Sequence, residues 1–176
     1  VETIREDTAL VCAMLANNET GVILPIRQIT EIVHQHHALV LCDATQALGK
    51  IDINLRDLAV DFMVFSAHKF YGPKGVGGLY MADGAKKFLT PLIHGGGQQQ
   101  GWRSGTVNTT GIIGMATALR IALEDLDKDQ ARIIQLRDYL ESELLAIGDT
   151  FLNGSKTNRL FNTTNICFST VLSEQL

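Results

Sequence analysis

Three short apolar runs, each followed directly by polar residues, constrain the fold of this chain more than any other feature of its sequence. The runs cover residues 8–16, 38–42 and 61–65. They are short and nearly continuous in apolar residues, which is typical of strands that are buried on both faces. Between the first two runs, Pro25 opens a stretch with apolar residues at helical spacing, in the first-turn position that suits proline. This alternation predicts an α/β fold with a mainly parallel sheet flanked by helices.

The rest of the chain extends this pattern. A fourth strand is expected at residues 76–81, and residues 44–50 resemble a short helix or a turn that Gly49 closes. Two helices are expected at residues 110–126 and 128–147. The second of them has an apolar stripe that we expect to face the core, formed by Ile133, Leu136, Leu140 and Leu144.

A change in composition after Asp127 predicts a domain boundary. Residues 1–127 would form part of a large domain. Residues 128–176 would form a connecting helix and the start of a small α+β domain, with a strand at 164–171. The chain starts without methionine and stops just after that strand, so both ends resemble those of a fragment.

Composition and charge narrow the classes of function. Of the 176 residues 45% are hydrophobic, which is enough to form a core. The chain carries 15 Lys and Arg against 19 Asp and Glu, and this slight excess of negative charge argues against a protein that coats nucleic acid. The sequence contains no apolar stretch long enough to span a membrane and no signal peptide. Three cysteines without close spacing argue against a disulfide scaffold or a zinc site and favour a reducing, cytoplasmic location.

Chemically capable residues follow each of the three predicted strands. Asn18 follows the first strand, Asp43 the second, and Ser66, His68 and Lys69 the third. Because the carboxyl ends of parallel strands meet at one edge of an open sheet, we expect these side chains to line one crevice.

This set of side chains favours an aldehyde cofactor that carries a pyridine ring and a phosphate. Lys69 would form the Schiff base, and Asp43 would pair with the pyridine nitrogen and keep it protonated. Gln46 would reach the ring hydroxyl from the following turn. Ser66 and His68 would donate hydrogen bonds to the phosphate.

Four separated stretches resemble the cysteine desulfurases, whose fold is similar to that of class V aminotransferases, the fold type I pyridoxal 5'-phosphate (PLP) enzymes. They are LANNETG (15–21), DATQALGK (43–50), FSAHKFYGPKGVGGLY (65–80) and GGGQQQGWRSGTVN (95–108). They occur in the order of the family, and the resemblance runs from about residue 10 to residue 123. It differs at Gln99 and Gln100, where members often carry Glu-Arg.

The resemblance implies roles for individual residues. Lys69 would be the PLP lysine and Asp43 the partner of the pyridine nitrogen, and Thr106 would reach the phosphate of a neighbouring subunit, which implies a homodimer. No metal site is implied. The residues that would bind the cofactor are Asn18, Asp43, Gln46, Ser66, His68, Lys69 and Thr106.

The resemblance also implies a reaction. Sulfur would be taken from L-cysteine, leaving L-alanine and a persulfide on an enzyme cysteine, for transfer to a sulfur-acceptor protein in iron–sulfur cluster assembly or thiolation. Cys12, Cys42 and Cys167 do not match the nucleophile motif, and we expect them to be small buried hydrophobic residues. We therefore expect this chain to lack the persulfide cysteine and to be inactive alone. Selenocysteine lyase, or another class V lyase or aminotransferase, is the alternative within the fold.

Other interpretations of the same residues stay open. Asp43 is also suited to cap a helix, and Asn18 to form an Asx turn before Gly21. The HQHH run at 34–37 offers imidazoles to a metal, but a polar helix end explains it as well. The glycine-rich turn at 72–78 lacks the spacing of a Walker phosphate loop. A nucleotide-binding module without Schiff-base chemistry is the hypothesis from another class.

Overall fold

The computed structural model describes residues 3–175, without the side chain of Ser173, and contains a four-stranded sheet in the order β1-β2-β3-β4. The first three strands are parallel and β4 is antiparallel to β3, so the predicted α/β fold with a mainly parallel sheet is confirmed. The strands are β1 (Leu10–Met14), β2 (Leu39–Asp43), β3 (Phe62–Ser66), β4 (Gly77–Met81), β5 (Thr150–Leu152) and β6 (Ile166–Phe168). The α-helices are α1 (Ile26–Gln35), α2 (Leu55–Leu58), α3 (Thr109–Glu124) and α4 (Leu126–Leu145). The 3-10 helices are Ala67–Phe70, Lys86–Phe88, Gln98–Gly101 and Ser173–Gln175.

The main core lies between α1 and one face of this sheet. Val40 and Cys42 of β2 are fully buried there, together with Ile26 and Val33 of α1. Side chains alternate between the two faces of a strand, so the register places Val11, Ala13 and Met63 on the same face. Pro25 is the N-cap of α1, one residue before the first-turn position that the sequence predicts for it.

The opposite side of β1 is not buried, which corrects one expectation. Leu10 is 43% exposed and Cys12 is exposed, whereas Cys42 is fully buried and Cys167 is half-buried. In the described part of the chain β1 is an edge strand with β2 on one side only. An apolar run predicts a strand but not which of its faces is covered, so the expectation that all three cysteines are buried was wrong for Cys12.

Residues 44–50 form turns and not a helix. Ala47 and Leu48 both donate their amides to the carbonyl of Ala44, which makes a single turn. Gly49 then adopts a φ of +78°, a conformation that a side chain disfavours, and a Cβ atom added there would lie 2.9 Å from Cβ of Phe70. The predicted closure at Gly49 is therefore confirmed.

Helix α4 turns a different face inward from the one its apolar residues predict. Leu136 and Leu140 are 57% and 49% exposed, whereas Glu141 is buried and Arg137 half-buried. Arg137 donates to the carbonyls of residues 160 and 161, and Glu141 pairs with Arg159, so the inward face is partly ionic. The predicted stripe was therefore wrong at Leu136 and Leu140, since hydrophobicity cannot identify charges that find buried partners.

The chain beyond α4 forms a separate two-stranded sheet. Strand β6 lies within the predicted 164–171 strand but is shorter, and it pairs antiparallel with β5, which the sequence analysis missed. Among the helices of residues 3–175, none combines the length and apolar character that crossing a bilayer requires.

Candidate active site at the carboxyl edge of the parallel strands

The ends of β1, β2 and β3 are joined by backbone hydrogen bonds at one edge of the sheet. Leu15 donates its amide to the carbonyl of Asp43 at 2.8 Å, and Ala44 donates to the carbonyl of Val64 at 2.9 Å. Asp43 is therefore central, and Ser66 ends the neighbouring strand two residues beyond Val64. The convergence that the sequence predicts for these strand ends is present in the fold.

Asp43 uses one carboxylate oxygen locally. Its Oδ1 accepts a hydrogen bond from the amide of Thr45 at 2.9 Å, the type of bond that a capping aspartate makes. Within the described residues its Oδ2 takes no hydrogen bond. The half-buried carboxylate therefore stabilises the following turn and still has an oxygen for a ligand, so the two interpretations of Asp43 are compatible.

Asn17, and not Asn18, makes the Asx turn after β1. The Oδ1 atom of Asn17 accepts from the amides of Glu19 and Thr20, at 3.0 and 2.9 Å. The side chain of Asn18 is exposed, and no hydrogen bond engages it among the described residues. The Asx turn considered for Asn18 is thus made by Asn17, and the side-chain amide of Asn18 stays available for a ligand at this edge of the sheet.

Lys69 lies in the 3-10 helix Ala67–Phe70, which a pair of buried residues anchors. Ala67 is fully buried and Phe70 is 1% exposed, so His68 and Lys69 between them lie on the outer side. The amides of Tyr71 and Gly72 both donate to the carbonyl of Ala67 and close the turn. The half-buried Lys69 is therefore held on a short, well-anchored element directly after β3.

The residues after β3 divide between two neighbouring hollows. Lys69 lines a cavity of about 410 Å³ together with Lys50 and the small residues Gly114 and Ala118 of α3. Ser66 and His68, joined by a 2.8 Å hydrogen bond between Oγ and Nδ1, line an open hollow of about 600 Å³. Successive side chains of a 3-10 helix point about 120° apart, which explains the division. The single crevice expected from the sequence is thus two hollows that share this helix.

Two lysines near the site were missed by sequence reasoning. Lys74 and residues 75–77 line the hollow of Ser66 and His68. A lysine in the glycine-rich turn before β4 is a sequence signal for this position. Lys50 is 9% exposed and donates from Nζ to the carbonyl of Gln46 at 2.8 Å. Burial, and then the positive charge of Lys69, lowers the pKa of Lys50. Nothing in its residue type predicts that it is buried.

Among the described residues, Thr106 lines neither hollow and makes no hydrogen bond with the other predicted residues. It is exposed and follows a glycine-rich loop in which Ser104 Oγ donates to the carbonyl of Gly96 at 2.9 Å. Gln99 and Gln100 both have positive φ, of 50° and 57°, an unusual backbone conformation for side-chain-bearing residues. Asn108 then accepts the amide of Gly111 and caps α3.

The histidines at 34–37 have a structural explanation. His34 Nε2 lies 2.9 Å from Asp61 Oδ2, which also accepts the amide of Val40 at 2.8 Å. His34 is in the last turn of α1, and His36 is its C-terminal cap. Among the described residues, no three His, Cys, Asp or Glu side chains come together as metal ligands.

Comparison with known families decides the relationship of this chain. The model of the family described as "Aminotransferase class-V" matches residues 1–176, the full length of the sequence. The chain belongs to the aminotransferase class-V family. This membership agrees with the sheet order and with the polar strand ends described above.

Relatives within the class-V family carry a more specific name. "Cysteine desulfurase IscS" of Dictyoglomus turgidum is 44% identical over 176 residues, which cover 99% of this chain and 44% of the relative. A solved structure described as "NIFS-LIKE PROTEIN" superimposes with a TM-score of 0.92 at 43% identity, covering 99% of this chain and 47% of that one. Another, "SspA in complex with cysteine", has a TM-score of 0.78 at 34% identity and covers 96% and 46%. The chain thus spans less than half the length of these relatives.

The residues of this class-V chain fit PLP, the cofactor that the family implies. A hydroxyl, an imidazole and an ammonium group line one hollow, as a phosphate dianion requires. Asp43 ends the adjacent strand β2, and its Oδ1 accepts from the amide of Thr45. Its Oδ2 takes no hydrogen bond among the described residues and is suited to accept one from a protonated pyridine nitrogen. Lys69, the residue after His68 in the 3-10 helix, supplies a half-buried primary amine.

Proposed function

We propose that the protein to which this chain belongs is a PLP-dependent cysteine desulfurase. It would remove sulfur from L-cysteine, giving L-alanine and a persulfide on an enzyme cysteine. The observation that carries the proposal is the placement of Asp43, the Ser66–His68 pair and Lys69 at the ends of adjacent parallel strands. The names of the class-V relatives support the choice of reaction.

The phosphate of the cofactor would be bound by Ser66, His68 and Lys74. The hydrogen bond between Ser66 and His68 fixes the orientation of both side chains before a ligand arrives. Lys74 adds positive charge beside glycine residues, whose backbone allows a close approach. The hydrogen bond within the pair uses one of its two protons, so the pair would offer a phosphate one donor while it stays closed and two once it opens, and Lys74 would add a cation.

The ring of the cofactor would be bound from β1 and β2. Asp43 would accept a hydrogen bond from the ring nitrogen through Oδ2, while Oδ1 remains on the amide of Thr45. Gln46 and Asn18 would donate to the ring oxygen. When bound, PLP supplies an electron sink for the carbon that carries the amino group of the substrate.

Lys69 would hold the cofactor covalently and then move a proton at the α-carbon of the substrate. Lys50 is close enough for its charge to interact with that of Lys69, and both lysines line the same cavity. Gly114 and Ala118 of α3 are small, which leaves space beside Lys69 in this cavity.

The sulfur step needs the thiol of an enzyme cysteine, which we expect to lie outside these 176 residues. An enzyme cysteine would attack the substrate sulfur, the carbon–sulfur bond would break, and the products would be L-alanine and the cysteine persulfide. Burial, and then the negative charge of Asp43, raises the pKa of Cys42 to about 11, which keeps this thiol protonated and unreactive. That the nucleophile lies outside these 176 residues, and that the chain alone is inactive, stay predictions.

Several further properties belong to the same proposal. Thr106 would bind the phosphate in the partner subunit of a homodimer, and its exposure is compatible with that role. The structure described as "SspA in complex with cysteine" supports the substrate, since that protein is 34% identical to this chain. The persulfide would pass to a sulfur-acceptor protein for iron–sulfur cluster assembly or thiolation in the cytoplasm. Residues 1–127 would belong to the large domain and residues 128–176 to the small one.

The test is product analysis with the full-length protein. With L-cysteine and a thiol reductant, we expect sulfide and L-alanine in equal amounts, and no product from Lys69→Ala. Lys87→Ala is the matched control, because Lys87 is an exposed lysine beside Phe88 and lines neither hollow. Turnover of L-selenocysteine alone would identify the lyase alternative, and a keto acid product would identify an aminotransferase. Either result would contradict the proposed reaction.

A further inference from the structure

The loop that carries Asn18 is held by a segment that lies about 140 positions later in the sequence. We define the Asn18 loop as residues 17–24 and the holding segment as residues 158–165. Leu160 donates its amide to the carbonyl of Gly21 at 2.8 Å, and Ile23 donates to the carbonyl of Asn158 at 3.1 Å. Val22 and Arg159 form an antiparallel bridge between the two. Backbone hydrogen bonds therefore join the Asn18 loop and the holding segment in a short antiparallel ladder.

Side chains reinforce this ladder. Asn158 Nδ2 donates to the carbonyl of Ile23 at 2.8 Å, and Asn165 Nδ2 donates to the carbonyl of Glu19 at 3.4 Å. Packing is tight at Gly21, where a Cβ atom would lie 2.6 Å from Cβ of Thr163. The contacts extend from residue 19 to residue 23, so the holding segment determines the position of the loop immediately after Asn18.

The holding segment is itself anchored to α4 by charge. Arg159, with a side chain 3% exposed, pairs with Glu141 through contacts of 2.6 Å (Nη1–Oε1) and 2.7 Å (Nη2–Oε2). Arg137 of α4 adds hydrogen bonds to the carbonyls of residues 160 and 161. A connected set of contacts thus runs from α4 through residues 159–161 to the Asn18 loop.

We propose that Arg159, anchored by Glu141, is a positioning residue for Asn18. The inference rests on the proposed function, in which Asn18 binds the ring of the cofactor. An exposed asparagine at a strand edge has many available positions, and a fixed loop reduces them before the ligand binds. Movement of α4 relative to the sheet would therefore reach the cofactor site through Arg159.

The first test is amide hydrogen exchange on the full-length protein without cofactor. Loss of the buried pair in Arg159→Met should raise the exchange rates of residues 19–23 roughly tenfold or more beyond any rise at the β2 amides, which report the loss of global stability. Arg120→Met is the matched control, because Arg120 forms an exposed pair with Glu124 on α3 and should leave these rates unchanged. Should Arg159→Met fail to fold, Asn158→Ala removes one hydrogen bond from an exposed residue and must still raise the rate at Ile23 and its neighbours. Unchanged exchange in the folded variants overturns the proposal.

The second test asks whether Arg159 acts through Asn18. The dissociation constant and absorption maximum of PLP are measured for the wild type, Arg159→Met, Asn18→Ala and the double variant. We expect Arg159→Met to weaken PLP binding several-fold in the wild-type background and less than twofold beside Asn18→Ala. Equal effects in both backgrounds would show a general structural role and overturn the positioning role. A protein that forms no borohydride-reducible adduct with PLP at Lys69 refutes the proposed function instead, and the exchange result still stands on its own.

Discussion

The pair of Arg159 and Glu141 gives the sharpest prediction about stability. Both side chains are buried, 3% and 11% exposed, and one contact is an aligned hydrogen bond of 2.7 Å between Nη2 and Oε2. Nη1 lies 2.6 Å from Oε1 but without the alignment of a hydrogen bond. In Arg159→Met the carboxylate of Glu141 remains buried and loses its partner.

The expected cost follows from that stranded charge. Breaking a buried pair from one side usually costs about 3–5 kcal/mol, whereas an exposed pair contributes roughly 0–1 kcal/mol. The hydrogen bond from Arg159 is the main cause that lowers the pKa of Glu141, and Thr164 and the charge of Arg137 lower it further. Thr164 and Arg137 remain in Arg159→Met and would partly compensate for the lost partner. We therefore expect about 3 kcal/mol, the lower end of that range.

Urea unfolding of the full-length protein, followed by circular dichroism, measures this cost. Arg120→Met, which breaks the exposed pair with Glu124, should lose less than about 1 kcal/mol. The double variant Arg159→Met/Glu141→Leu removes both charges and should be more stable than Arg159→Met alone. A single Arg159→Met that costs no more than the Arg120 control would refute the reasoning, because it would mean that the buried carboxylate needs no partner.

Two further predictions concern backbone space and pH. Gly21→Ala should destabilise the protein by about 2 kcal/mol or more, because φ is +71° and the added Cβ meets Thr163. The control Gly75→Ala has a similar φ of +78° but open space around the Cβ, and should lose only about 1 kcal/mol. Equal losses in urea unfolding would contradict the steric argument. The pKa of Cys42 is raised to about 11 from its ordinary 9.0, so the folded state holds the thiol proton more tightly, and its contribution to stability is lost as pH rises from 9 to 11. This loss amounts to about 3 kcal/mol. Whatever the stability of Cys42→Ala at neutral pH, its free energy of unfolding should fall less than that of the wild type between pH 9 and pH 11. Parallel plots of unfolding free energy against pH for the two proteins would contradict the raised pKa of Cys42.

The sequence predicts the parts of the site that depend on short-range patterns. Continuous apolar runs locate β1, β2 and β3, and the polar residue after each run identifies Asp43 and Ser66 at the sheet edge. The position of Lys69 follows from the third run in the same way. These predictions succeed because a buried strand and its carboxyl end are both local features of the chain.

Features set by long-range contacts could not be predicted in this way. Arg137 and Glu141 face inward because a segment some 20 residues later supplies their partners, and no helical periodicity encodes that. Cys12 is exposed because it projects from the face of β1 opposite α1, which the described residues leave uncovered at this point. The burial of Lys50 depends on the packing of α3 and the 3-10 helix around the turn that precedes it.

The site at the strand edge is tested most directly by mapping where PLP attaches. The full-length protein is incubated with PLP, reduced with borohydride and digested, and the labelled lysine is identified by mass spectrometry. Lys50 is a demanding internal comparison, because it lines the same cavity and its lowered pKa makes its amine more available at neutral pH. We predict the label on Lys69, with Lys50 unlabelled. Label on Lys50, or no label at all, would contradict the account.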